Sequence, residues 1–416
     1  MTPRTRLYGY LGGFLASEIG TSISVVALPW LVLVSTGSAS RTGVIGFAAM
    51  APFVTVQALG GPIADTLGYR RASVAGNLGA ALTLATIPAL STLHSLGFAV
   101  LTGLVAVSGA ARGLAEAASN PIVPALAIDA GMALERAAGL FSGANRTGLL
   151  LGLPVGGALV AMLPAADVIA FDATSFAVIA VVVAAVVPGE LGRSATKLST
   201  RTYGAQLAEG ARFLSRDRLL LAMAGVIAVT NLLDQAYMSV LLPLWARDRV
   251  HHAVAIGIIG GAAGVGLLAG VLLGAWLVPK LPRRQTYIVA FLIAGTPPLL
   301  ATAATVSTGV VAAVTVISGI AGGLLNPING AVLYERVPDA FRARVLGAVK
   351  ASAWIGIPFG PLLAGVFAES TGLTTTLLGC ATLMLAATLT PFVFPAWRGL
   401  DRAPIVHLEE HRHRAA

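Results

Sequence analysis

Gly60-Gly61-Pro62-Ile63-Ala64-Asp65-Thr66-Leu67-Gly68-Tyr69-Arg70-Arg71 joins one long apolar run to the next. It sets one carboxylate and two guanidinium groups in a short stretch where a membrane helix has just ended. Paired bases at such a place hold the loop on the cytoplasmic side of a bilayer. The acid can face the positive end of a neighbouring helix or accept an arginine fork. A solvated turn with anchoring arginines is the plainer alternative.

The apolar runs on either side are part of a chain-wide pattern. Of 416 residues, 56% are hydrophobic and only 11% are charged, where a soluble domain is about one quarter charged. Lipid is therefore the solvent for most of the chain. Residues 72–111 and 285–334 contain no Asp, Glu, Lys or Arg. A span takes about 20 residues, so each of these runs holds two helices, with turns at 91–97 and near 307–309. The spans expected are 8–34, 43–64, 72–92, 98–120, 138–162, 168–188, 219–243, 254–278, 286–305, 310–333, 345–367 and 373–395. Asn120-Pro121 and Asn326-Pro327 are read as ends of the fourth and tenth helices.

Charge asymmetry orients them. Six of the 27 Lys and Arg residues fall elsewhere: Arg41, Arg247 and Arg249 in opposite loops, and Arg112, Arg146 and Lys350 within helices. The other basic residues lie in the N-terminus, the tail and the loops on that same side. Both termini are thus expected in the cytoplasm of a multi-pass protein of the cell membrane. The net charge of +9 comes from scattered loops without aromatic interleaving, so it reads as lipid attraction and not as nucleic-acid binding. Cys380 is the single cysteine, which leaves no disulfide framework and no cysteine metal site.

The longest polar segment gives the domain plan: 1–188, a first six-helix half; 189–218, a cytoplasmic linker; 219–397, a second half; 398–416, a tail. Within the linker, Tyr203–Asp217 reads as a surface helix. The halves repeat weakly. Gly148-x-x-x-Gly152-x-Pro154-x-Gly156-Gly157 answers Gly356-x-x-x-Gly360-Pro361-x-x-Ala364-Gly365 at an offset of about 208 residues, a spacing that brings helix backbones together.

With these residues in view, the chain resembles the major facilitator superfamily. Gly61, Asp65, Gly68 and Arg70, followed by Arg71, fall on the signature loop between helices 2 and 3, although Thr66 and Tyr69 stand where that family carries bases. The resemblance implies that Asp65 helps latch the two halves together, with Arg146 or Lys350 as candidate partners. The fifth-helix glycines resemble the antiporter signature of drug exporters. Leu207-Ala208-Glu209-Gly210-Ala211-Arg212-Phe213-Leu214 resembles the linker of exporters related to the enterobactin exporter. The fold implied is all-α, twelve transmembrane helices in two six-helix pseudo-repeat halves. Helices 1, 4, 7 and 10 would line a central cavity.

Charges inside spans carry the functional clue, since each costs roughly 2.5–3.5 kcal/mol at a helix centre on insertion scales. Glu18, Arg112, Glu116, Arg146, Asp172, Asp234 and Lys350 qualify. Arg112 and Glu116, four apart, can neutralise each other, and Arg112-Gly113 also resembles the superfamily's proton-linked arginine. Asp172 reads as a structural cap. Glu18 and Asp234 have no base three or four residues away, so they are the candidate proton-coupling acids, Asp234 first. Gln57, Asn231 and Trp354 complete the expected lining. Gly264-Val265-Gly266 fits a dinucleotide fingerprint only on paper, without the preceding strand.

Enzyme motifs do not occur: no His-Glu-x-x-His, no Gly-x-Ser-x-Gly, no P-loop. His407 and His411 in the tail are read as solvated residues, with no metal site and no cofactor. The expected function is proton-coupled efflux of an amphiphilic small molecule by a monomer. Proton-coupled import, or a non-transporting receptor or scaffold with the same fold, stays open.

Overall fold

The computed structural model describes residues 1–189, 200–305, 307–338 and 341–401. Twelve long helices follow one another in the order that the apolar runs dictate. They are α1 (Pro3–Thr36), α2 (Ala39–Leu59), α3 (Tyr69–Thr92), α4 (Phe98–Asp129), α5 (Leu134–Met162) and α6 (Ala165–Val186). After the linker come α7 (Arg218–Val250, including two π-turns), α8 (Val254–Leu277), α9 (Arg283–Ala304) and α10 (Thr308–Arg336). The set ends with α11 in two pieces (Arg342–Trp354 and Phe359–Thr371) and α12 (Leu373–Val393). Eleven are long and apolar enough to cross a membrane. The exception is α5, whose first half carries Glu135, Arg136, Asn145 and Arg146.

Local chemistry sets the ends. Gly37 adopts φ 68° and donates to the Leu33 carbonyl, closing α1, and the Ser38 side chain then accepts from Arg41 N to start α2. Only a residue without Cβ takes that left-handed bend cheaply.

The Asn-Pro pairs do not end helices. Pro121 and Pro124 lie inside α4 and Pro327 lies inside α10. Neighbouring helices support a spanning helix across a missing N–H, so proline bends it without stopping it. The expected unbroken eleventh span fails for the converse reason. Gly356 and Pro358 stand together, and the Trp354 carbonyl accepts from Ile357 N at 3.1 Å in a tight turn. In α7, Pro243 cannot donate to the carbonyl four residues back, and the helix widens into a π-turn at Tyr237–Leu241. The opening loop itself contains a short helix, Gly61–Leu67, with Gly68 at φ 84° as its joint to α3.

The linker helix spans Thr200–Arg216. It docks on the first piece of α11: Gly210 abuts the Arg344 backbone, Glu209 pairs with Arg344 at 2.8 Å and Phe213 stacks on Phe341. The remainder of the linker, residues 190–199, and the tail from 402, with His407 and His411, lie outside the described residues.

The glycine motifs explain how the helices meet. A Cβ at Gly148, Gly152 or Gly156 would strike α1 at Glu18, Ser22 or Ile23, and one at Gly157 would strike Gly257 of α8. At the 208-residue offset, Gly356 and Gly360 press on α7 at Ala228 and Leu232, and Gly365 presses on α2 at Ala39 and Gly43. Each half thus uses its fifth helix to grip its own first helix and, past it, the second helix of the other half. Gly266 and Gly270 seat the α10 backbone against α8, so the apparent dinucleotide fingerprint is helix packing.

At the end of the bundle away from the chain termini, hydrogen bonds join the halves. Glu369 accepts from Ser38 Oγ and Ser40 N, both at 2.7 Å, and Arg247 Nη1 donates to the Leu33 and Gly37 carbonyls. Nearer the termini, α2, α4 and α11 instead enclose a cavity of about 180 Å³ lined by Gln57, Asn120, Lys350 and Trp354.

Candidate functional site

A second cavity, of about 190 Å³, opens at mid-span among α1, α2, α4 and α6, with Trp354 of α11 completing the wall. It collects the residues singled out from the sequence: Glu18, Gln57, Arg112, Glu116 and Trp354 all line it. The wall alternates polar groups with rings, Tyr10, Phe14, Phe53 and Phe176.

Helical spacing and glycine contacts position each group. Glu18 lies where α5 approaches α1 most closely, opposite Gly148, and its Oε2 accepts from Asn145 Nδ2 at 2.7 Å. Asn145 sits one turn before Gly148 on that helix. That spacing was the signal in the sequence that could have identified it.

Arg112 and Glu116 do not form the ion pair that their spacing allows. Among the described residues no ion pair includes either. The Arg112 guanidinium lies 5.3 Å from the Phe53 ring centre and 5.7 Å from that of Phe176. Such a position holds a cation by the ring quadrupoles and leaves its N–H groups for other acceptors. Glu18 interacts electrostatically with Glu116, Arg112 and Asp172, and Glu116 with Lys350 and Arg112. The cluster is therefore three acids and two bases. Lys350 reaches it from the other half, with its Nζ 4.7 Å from the Trp354 ring centre. Trp354 in turn stacks on Phe53 at 6.2 Å. Gln57 Nε2 is buried without a partner, a donor held ready at the cavity wall.

Asp172 is not a cap. It is 1% exposed, in the body of α6, where Ser175 Oγ lies 3.3 Å from its Oδ1 and Gly20 of α1 packs against it. It lies where α6 packs against α1.

Asp234 and Asn231 lie elsewhere. They face a separate pocket of about 230 Å³ among α7, α9, α10 and α12, together with Asn326 and Asn329. The two acids put forward for proton coupling therefore do not share a cavity. Asp65, for its part, has a local partner: Tyr69 Oη donates to its Oδ1 at 2.7 Å. Arg70 donates to the Ala184 carbonyl of α6, within the same half. The residue that replaces the expected base thus occupies the acid, and neither Arg146 nor Lys350 pairs with it. Gly61 and Gly68 frame the short helix, and Arg71 is exposed.

Twelve spans in two related halves, with a charged and aromatic cavity buried at mid-depth, define a membrane transporter. The chain belongs to the Major Facilitator Superfamily, whose model matches residues 10–295 and 226–415. It is 28% identical over 404 residues to the multidrug efflux pump Tap of Mycobacterium tuberculosis, covering 94% of this chain and 93% of that one. The pump of the same name from Mycolicibacterium fortuitum is 27% identical over 413 residues, covering 97% and 98%. Among solved structures, the nucleoside transporter NupG superposes with a TM-score of 0.75 at 14% identity, over 93% of this chain and 98% of that one. A bacterial homologue of the human lysosomal transporter Spinster, in an inward-facing, unoccupied conformation, gives 0.67 at 16% identity, over 96% and 98%.

Proposed function

We propose that the protein exports an amphiphilic small molecule from the cytoplasm, driven by protons, as a monomer in the cell membrane with both termini cytoplasmic. The cavity built on Glu18, Arg112 and Glu116 carries the reading. Its acids sit at mid-span beside two bases, Arg112 and Lys350, and among the described residues neither base is in an ion pair. A proton arriving on Glu18 or Glu116 changes the net charge of the cluster by one and frees Arg112 to favour the other acid. Charges in such surroundings interact several times more strongly than in water, so protonation and substrate binding compete through the same groups. The rings offer an apolar substrate face its contacts, and Gln57 offers one donor. Trp354 and Lys350 belong to the other half, which makes occupation of the cavity a signal to both. Export as the direction rests on the efflux pumps among the relatives. The Gly60–Arg71 loop and the two-half division with its linker serve the same alternation.

Flux in proteoliposomes tests this. Substrate should accumulate against its gradient only when a proton gradient is imposed, in the direction away from the termini. Glu18→Gln should abolish uphill transport while leaving substrate exchange measurable. Parental pH dependence and accumulation in that variant would remove Glu18 from the coupling path. Accumulation in the opposite direction would make the protein an importer.

A further inference from the structure

The pocket among α7, α9, α10 and α12 has no part in that scheme, and its chemistry is different. Its polar groups form two pairs, Asn231 with Asp234 on α7 and Asn326 with Asn329 on α10. Members of a pair are three residues apart and so lie along one helix face. We propose that this pocket is a binding site for one sodium ion, held by the Asp234 carboxylate and by amide oxygens of the asparagines.

The donor set argues for it. Asp234 enters no ion pair among the described residues, although a lone charge at mid-span is costly. Asn231 Nδ2 donates to the Ala353 carbonyl at 2.9 Å, which leaves its Oδ1 for the pocket. Asn329 Oδ1 is buried without a partner, and a buried acceptor left unpaired costs about 1–3 kcal/mol. Prolines add to the oxygen supply. Pro297 and Pro298 lack the N–H groups that would meet the carbonyls of Ile293 and Ala294. Ser318 Oγ takes the Ile293 carbonyl at 2.8 Å, while Ala294 lines the pocket. Carboxylate, amide and carbonyl oxygens suit hard cations, and proline-interrupted spans are where membrane transporters coordinate sodium.

Charge selects the valence. One carboxylate among neutral amides balances a single positive charge, so a divalent ion would stay under-compensated. The anionic ligand favours the smaller sodium ion over potassium through its stronger field. Bound in the pocket, the ion would bridge α7 to α10.

Binding is measurable on the purified full-length protein, independently of any flux. Thermal unfolding should shift upward with NaCl and saturate, with KCl acting more weakly and choline chloride of equal ionic strength without effect, as linkage requires of a ligand that binds the folded state alone. Asp234→Asn should lose the shift. Asn329→Ala, which keeps the charge, should weaken the apparent sodium affinity at least tenfold. Equal unfolding curves in sodium and choline would overturn the site, as would an Asn329→Ala protein titrating like the parent. Neither result bears on whether the Glu18 cavity exports a substrate, and a failed flux assay leaves the sodium titration standing.

Discussion

At the scale of single residues, the glycines of α5 decide how the cavity is built. The Cβ of any larger residue at Gly148 would collide with Glu18 Cβ. Gly148→Val should therefore push α5 from α1, at a cost of about 1–3 kcal/mol for overpacking, and should displace the Asn145 donor from the Glu18 carboxylate. Gly225→Ala in α7, where nothing lies within 4 Å, should be neutral or mildly stabilising because alanine suits a helix better. Thermal melting of the two variants separates a packing role from general glycine intolerance, since equal melting points would remove the packing role. The sequence made Glu18, Arg112 and Glu116 legible because each breaks an otherwise apolar span. It did not reveal which of them touch. Spacing placed Arg112 against Glu116, yet Arg112 faces Phe53 and Phe176, contributed by α2 and α6. Neighbours supplied by other helices have no signature in local spacing. The same holds for Asp65, whose partner Tyr69 first reads as a departure from a pattern.

At the scale of elements, length and apolarity fixed the number of helices, and charge-free runs placed the turns after Thr92 and Ala304 within a few residues. The errors were at prolines. Asn120-Pro121 reads as a stop in water, where an unpaired carbonyl turns to solvent, but packed neighbours carry α4 on to Asp129. The amphipathic linker helix was legible, but its seat on α11 was not. Beside the close approach of Gly210 to the Arg344 backbone, its side chains make the half-exposed Glu209–Arg344 pair and the Phe213–Phe341 stack at 6.2 Å. An ion pair at such exposure is worth about 0–1 kcal/mol. A ring pair adds about 0.5–1.5 kcal/mol beyond its buried area. Phe213→Ala should therefore loosen the helix more than Glu209→Gln does. Hydrogen exchange across residues 204–216 should rise severalfold in the first variant and little in the second. The reverse order would make the salt bridge the anchor.

At the scale of the whole molecule, the halves are joined where their signature glycines meet and at the far end, while the cavity lined by Gln57, Asn120, Lys350 and Trp354 lies nearer the termini. Glu369 is the centre of that junction, taking two hydrogen bonds of 2.7 Å from the Ser38–Ser40 turn. Both reach a carboxylate, so each is stronger than a neutral bond, but the site is exposed and water competes. Together they are worth about 1 kcal/mol, a factor of about five in the balance between a closed and an open far end. Glu369→Ala should move the population toward the open far end by about that factor without unfolding the protein, because no buried group loses its partner. Spin labels on the far ends of α1 and α11 would register the change as a second, longer distance. The consequence for transport follows from population arithmetic: a cavity reached from the termini side only part of the time binds substrate there with affinity reduced by that fraction. Apparent substrate affinity from the termini side should fall in proportion to the new distance population. An unchanged distance distribution together with unchanged affinity would mean that the Arg247 hydrogen bonds and the α2–α11 and α5–α8 glycine contacts keep the far end shut without Glu369.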